Sequence, residues 1–312
     1  MKLIQLSEPM NVEDALAHAK LDWTATKKPL FGENGNEDEK VPVENVCGIY
    51  REDTSSFLPG VSVSDQYEIV QNSDVFATID PILGEGEASI HKLGEAYGGC
   101  YTFMSVRLPK VIQVEFDGET KPSQKLEKWL LITNSFDTSH SVRINLQVRD
   151  KGTFVGNFTN KCIRFKHTTF IHDRLPSARK ALGLSNDFFD LAGKKLKEIA
   201  LIDSSKRRAE YMAVLFKPYK DTPRAQTIAN NKAEEALKWV TANSMEARDW
   251  YHTWRETCRF LHFQRKHRSQ DAYWKSSAMG AIMKKKVQAF NVAISMSGVT
   301  RPNWKMYEGL FT

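Results

Sequence analysis

The chain of 312 residues reads as an α+β protein. An N-terminal antiparallel sheet with flanking helices is followed by a basic, mostly helical C-terminal half. Three observations predict this. Val142, Ile144, Leu146 and Val148 alternate with Arg143, Asn145, Gln147 and Arg149, the period of a strand with one face in a core. From Ser185 onward the apolar residues recur every three or four positions instead, the period of helices. The charge changes sign at the same place. Residues 1–150 carry 14 Lys/Arg and 24 Asp/Glu, a net of −10; residues 151–312 carry 30 and 14, a net of +16. The join is Lys161–Leu184, with six Lys or Arg and a single acid, Asp173. The division this predicts is an α+β domain over 1–184 and a helical region over 185–312, with a Pro-containing linker candidate at 217–226.

Residues 11–23, NVEDALAHAKLDW, have Asn11 to cap a helix and Glu13 and Asp14 in its first turn, where the helix dipole favours acids. Residues 32–40, GENGNEDEK, are polar and turn-rich and read as a loop. Val41–Tyr50 and Pro59–Val63 read as strands. Asn72–Leu83 suits a helix capped by Asn72 or Ser73 and closed at Gly84. Strands follow at Glu87–Leu93, Tyr101–Leu108, Val111–Phe116, Lys128–Thr133 and Ser141–Arg149, with Asp117-Gly118 as a turn. In Tyr101–Leu108, Thr102, Met104, Val106 and Leu108 share a face. The polar face of Ser141–Arg149 is either solvated or a binding surface.

Leu175–Leu182 reads as a short helix stopped by Gly183. The next helix runs from Ser185 to about Leu201, with Phe189, Ala192, Leu196 and Ile199 as its stripe. A third begins near Ser204, buries Ala209, Met212, Ala213 and Phe216, and ends before Pro218. Residues 228–267 read as one long helix, or two with a break near Ala242–Ser244. There Trp250, Trp254, Cys258 and Leu261 share one face. Arg248, His252, Arg255, Arg259, His262 and Lys266 share another, with little interleaved acid. A last helix runs from Ser269 or Gln270 to about Met296, on an apolar face of Met283, Val287, Phe290 and Ile294.

Composition and motifs exclude more than they name. No apolar run is long enough to cross a membrane as a helix. The start, MKLIQLSEPMNVEDAL, has no charged-then-apolar signal pattern, and Cys47, Cys100, Cys162 and Cys258 are scattered without a CxxC. Both points fit a cytoplasmic protein without a disulfide framework or a zinc site. The phosphate-loop, dinucleotide-fold, nucleophile-elbow and zinc-protease signatures are missing. No catalytic residue, metal or cofactor is therefore assigned.

What remains is binding chemistry. Lys and Arg attract phosphates regardless of base sequence. The candidate phosphate contacts are Arg143, Arg149, Lys161, Arg164, Lys166, Arg174, Arg179, Lys180, Arg255 and Arg259. Phe165, Phe170, Tyr273 and Trp274 are interleaved with positive groups, where aromatic rings stack bases. The competing reading is that the two charged halves neutralise each other within the fold or between subunits.

Several segments carry a family likeness: VEDALAHAKLDW (12–23) with KKPLF (27–31), DQYEIVQNSDVF (65–76), LLITNSFDTSHSVRI (130–144), FKHTTFIHDRLPSARKALG (165–183), the Thr253-Trp254 pair, and WKSSAMGAIMKKKVQAFNVAISM (274–296). In this order they resemble a widespread phage- and plasmid-encoded family of unassigned function. The chain departs from it after Arg149, where DKGTFVGN keeps only Asn157 of the usual segment. The resemblance supplies no reaction. Its setting and layout are similar to those of ring-forming annealing proteins of phage recombination, the RecT, Redβ and Erf types. The expectation is a non-enzymatic protein that binds single-stranded DNA along a basic groove and promotes annealing and recombination, as a homo-oligomeric ring or filament. The alternative is a structural protein of a mobile element that self-assembles through its acidic and basic halves. A third reading, a nuclease-like enzyme, needs a metal or carboxylate cluster that the sequence does not present.

Overall fold

The alternation in Val142–Val148 marks a strand next to the edge of a large antiparallel sheet. In the computed structural model, the described residues are 1–34, 36–84, 88–116, 123–151, 153–156, 158–159, 162–165, 185–244, 248–264 and 267–304. The strands are β1 (Lys2–Gln5), β2 (Ala25–Asn34), β3 (Asn36–Arg51), β4 (Ser56–Ser64), β5 (Ser89–Ala96), β6 (Tyr101–Val114), β7 (Gln124–Ser135), β8 (Val142–Asp150), β9 (Thr153–Gly156) and β10 (Ile163–Phe165). Seven form one sheet in the order β1-β5-β6-β7-β8-β10, with β9 also on β8. β2, β3 and β4 form a second sheet. Their pairings are antiparallel. The expected α+β class holds, with strands in the first half and helices dominating the second.

The helices are α1 (Val12–Ala19), α2 (Asn72–Phe76), α3 (Asp80–Gly84), α4 (Ser185–Ala200), α5 (Arg208–Phe216), α6 (Pro223–Asn243), α7 (Trp250–Phe263), α8 (Gln270–Ala278) and α9 (Ala281–Ser297). The inner face of the large sheet carries Met104, Val106, Leu130, Ile132, Ile144, Leu146 and Val148. These share one core with α1, α2, α4, α5, α7 and α9. The core therefore runs continuously from the sheet of the first half into the helices of the second. The expected stripe Phe189–Ile199 faces it, as do Phe290 and Ile294 of the last stripe, and Met283 and Val287 are buried too. Asn11 caps α1 as expected, its side chain accepting from Asp14 N–H at 2.8 Å.

The outer face of the large sheet is covered as well. Tyr101, Phe103 and Leu131 pack with Ile49, Leu58, Val61 and Val63 of the smaller sheet and with Ala278 and Met279 at the end of α8. Asn145 and Gln147 are buried on this face. Gly94 pairs with Phe103 across β5 and β6. A Cβ at Gly94 would sit 2.7 Å from the Phe103 ring, so the ring's place depends on a residue without one.

Several expected boundaries are corrected. The polar residues 32–40 are strand, apart from residue 35, because β2 and β3 extend as a hairpin beyond the core. Phe31, Val41 and Val43 are exposed there, so burial imposes no alternation. Tyr101–Leu108 and Val111–Phe116 merge in β6 through a register shift between Arg107 and Val111. Asn72 does not cap α2. It is buried, its Nδ2 donates to Leu21 O at 3.0 Å, and its Oδ1 accepts from Thr102 Oγ1 at 2.6 Å.

On α5 the core face is Arg208, Tyr211, Met212 and Leu215, one position from the expected stripe, and Ala209 and Ala213 are exposed. The bulk of Tyr211 and Leu215 decides the phase. The expected linker narrows to 217–222, because Thr222 caps α6 and Pro223 occupies its first turn. The break near Ala242–Ser244 is where α6 ends. The last expected helix is two, α8 and α9, separated at Met279–Gly280. The Leu175–Leu182 helix and the Asp117-Gly118 turn lie outside the described residues. Among the described residues, no helix is long and apolar enough to cross a membrane.

Candidate functional site

β8 sets out four polar residues on the outer face, Arg143, Asn145, Gln147 and Arg149, at the two-residue spacing of a strand. Arg143 is at one end. β10 pairs with this part of β8 and places Arg164 directly opposite Arg143. Arg164 is exposed; Arg143 is half-buried, and its Nε has no hydrogen-bond partner. Among the described residues neither guanidinium has an ion pair with a carboxylate. Burial lowers the Arg143 pKa, the Cys162 thiol works against this, and Arg164 lowers it further.

The same end of the sheet gathers more positive groups. Lys275 of α8 donates to the Tyr101 hydroxyl and lies 4.4 Å from the centre of that ring. Tyr101 donates to Asp137 at 2.6 Å and also contacts Ser139. Burial, with Arg143 and Lys275 adding repulsion, pushes His140 down to about 4, so it is neutral at pH 7. Its Nδ1 is buried without a partner. Asp137, Arg143, Arg164 and Lys275 all act on His140, three positive groups to one carboxylate. This surplus of donors and positive charge suits an anion.

At the other end, Arg149 is nearly buried. Its guanidinium stacks 4.1 Å over Trp129, and its Nη2 donates to Ser105 Oγ at 2.9 Å. Burial lowers its pKa to about 10, although Glu127 works the other way. Arg149 stays charged at neutral pH and lines a cavity of about 220 Å³ beneath α8.

Of the expected basic stripe, His252, Arg255 and Arg259 do not form a free surface; Arg248 is exposed, and Lys266 lies outside the described residues. Asp150, at the end of β8, accepts from Arg255 Nε at 2.8 Å, and Arg255 Nη1 meets Glu256 at 2.8 Å. Arg259 lies 4.0 Å from Asp150 and 3.6 Å from Glu256. His252 is buried against Asp249. The acids that answer the stripe come from another strand and from the same helix, so spacing within the stripe alone does not reveal them. Lys128 and Asp190 make a similar pair between the two halves, at 3.0 Å.

Of the expected contacts, Arg143 and Arg164 are therefore adjacent. Arg149 is about 20 Å from Arg143 along β8, and Arg255 and Arg259 belong to an ion-paired cluster. Lys161, Lys166, Arg174, Arg179 and Lys180 lie outside the described residues. In sequence they flank or follow β10, which ends at Phe165. The site also includes Lys275, Ser105 and Asp137. Each belongs to the site only through sheet register or helix docking, and no local motif marks them. Among the described residues, no group of three or more His, Cys, Asp or Glu is placed to hold a metal ion.

These features define an α+β protein whose sheet is buried on both faces, with an anion-suited end at the β8–β10 edge. The chain belongs to a family known by its shared domain of unknown function, DUF932, whose model matches residues 61–279. The matched span covers the large sheet from β5 onward, β8 and β10, and the helices through α8. No curated protein and no solved structure matches the chain.

Proposed function

We propose that the protein is a non-enzymatic, single-strand DNA-binding protein of a phage or plasmid that promotes annealing and acts as a homo-oligomer in the cytoplasm. The observation that carries this reading is the Arg143–Arg164 pair. Two guanidinium groups face each other without a carboxylate partner among the described residues. Like charges directly opposite in a sheet repel by about 0.2–1 kcal/mol, and a phosphate between them turns that repulsion into attraction. The chain leaving this edge carries Lys166, Arg174, Arg179 and Lys180 before α4 begins. Annealing by charge neutralisation needs no nucleotide hydrolysis.

The test is fluorescence anisotropy of a labelled single strand over a range of salt. Binding that weakens linearly in log–log form as salt rises supports the reading. No binding at low salt, or binding indifferent to salt, ends it. The self-assembly reading rests on the opposite net charges of the two halves. It predicts salt-sensitive light scattering by the protein alone and no DNA affinity.

A further inference from the structure

The cavity at the Arg149 end of the outer face has the features of a small-ligand site. Its floor is Ser105 and Gln147 of the sheet with Arg149 beside them; its roof is Tyr273, Trp274 and Ser277 of α8. About 220 Å³ is room for about seven waters. It lies below the usual range for drug-sized ligands, about 300–1,000 Å³, and it is open to solvent, so a ligand larger than the cavity can seat its ring and its anionic group there with the rest outside.

Three observations narrow the chemistry. First, the charge is one-sided. Arg149 and Lys92 line the cavity, and no carboxylate stands among its described lining residues. Second, a polar group there lacks a partner. Arg149 Nε is buried without a hydrogen bond, although burying such a donor is costly unless something meets it. Third, flat rings stand close by. Trp274 stacks on Phe103 with centroids 4.5 Å apart. Tyr273 directs its hydroxyl to His262 at 2.7 Å, which leaves its ring as a wall.

We propose that this cavity binds one nucleotide, with the phosphate on Arg149 and the base against the Trp274–Tyr273 side of α8. Gln147, Ser105 and Ser277 supply amide and hydroxyl groups for the edge of a base. The nucleotide comes either from solution or from the end of a strand, and the chemistry at the pocket is the same. The proposal stands on the cavity's own lining and not on the Arg143–Arg164 edge.

Isothermal titration tests it with the four deoxynucleoside 5′-monophosphates, the corresponding nucleosides, and short single strands with and without a 5′-phosphate. Saturable one-to-one binding of at least one monophosphate, at least tenfold tighter than its nucleoside, is expected. Arg149→Gln weakens that binding at least tenfold. Trp274→Leu does the same and changes a half-exposed helix residue, so it serves if Arg149→Gln fails to fold. Tight binding of only the 5′-phosphorylated strand identifies a strand end as the source and also supports the pocket. The proposal is overturned if neither monophosphates nor phosphorylated ends bind, or if the folded variants bind as well as the parent chain. Salt-dependent binding of strands that ignores Arg149 and Trp274 would overturn the pocket and leave the DNA-binding reading standing. Monophosphate binding without strand affinity would do the reverse.

Discussion

Arg143 in β8 and Arg164 in β10 are direct cross-strand partners on the outer face of the sheet. The sheet brings the two charges together, and among the described residues no carboxylate pairs with either. Such a pair works against stability by itself and favours any bound anion. The double variant Arg143→Gln/Arg164→Gln is therefore expected to fold at least as stably as the parent chain, within about 0.5 kcal/mol or better. Its salt dependence of single-strand binding should fall by about 1.4 in slope, at about 0.7 per phosphate contact. Anisotropy titrations at four salt concentrations measure this. An unchanged slope would remove the pair from the interface.

Asp150 holds the opposite role at the far end of β8. It is a nearly buried carboxylate answered by Arg255 and, more distantly, Arg259. Burial acts to lower the Arg255 pKa, and Asp150 and Glu256 outweigh it, so the net shift is upward. Removing one partner strands the other. Asp150→Leu and Arg255→Met should each cost about 3 kcal/mol, while the two together should recover most of that loss. Urea denaturation of the three variants checks the cycle. The Arg255→Met variant that still folds should bind single strands with the parent's salt slope, since this guanidinium is already engaged. A large loss of affinity at unchanged stability would contradict that.

Asn72 joins three segments. Its amide donates to Leu21 O, its Oδ1 accepts from Thr102, and the amide of Asn134 lies 3.3 Å from the same oxygen. All three side chains are buried. Asn72→Ala leaves Thr102 Oγ1 and Leu21 O without this partner, and the expected loss is about 2–4 kcal/mol. The neighbouring Ser73 is exposed and makes no capping bond, so Ser73→Ala should stay within about 0.5 kcal/mol. Thermal melts of the two variants separate a buried hub from a helix cap. Equal losses would refute the hub.

The contrast between Asn72 and β8 shows what local sequence carries. Val142–Val148 and Phe189–Ile199 were legible because each buries one face against a single core, and burial on one face writes a period into the chain. Asn72 was not, because Asn is equally at home capping a helix and filling a buried polar niche; only the approach of Thr102 and Leu21 decides. The outer face of β8 reads as solvated or ligand-binding, yet Asn145 and Gln147 are buried under elements more than a hundred residues away. Strand alternation marks Arg143 and Arg149, and local charge marks Arg164. Whether a cation meets a carboxylate, a ring or another cation depends on strand register, which a run of Lys and Arg does not encode. Lys284, Lys285 and Lys286 make the point within one helix: the first is exposed and the third is entirely buried.

Lys286 carries the last prediction. Its amine donates to Phe154 O and lies 4.0 Å from the centre of the Phe154 ring. The titratable groups around it are Cys258 and His262 of α7 and Arg149 of β8. Burial lowers its pKa to about 7; Cys258 opposes the shift and Arg149 adds to it. In the unfolded chain a lysine titrates near 10.4. Between these values the unfolded state holds a proton that the folded state has released, so stability rises with pH. The rise is at most about 1.4 kcal/mol per pH unit and flattens below pH 7, where both states are protonated. Urea denaturation of the parent chain should therefore give greater stability at pH 9 than at pH 7. Lys286→Met removes the titrating amine and keeps most of the stem, so the variant should lose this rise and be the more stable of the two at pH 7. Parallel pH profiles for the two proteins would show that Lys286 is charged in the folded state at both pH values, and that its buried amine is solvated in a way this packing does not provide.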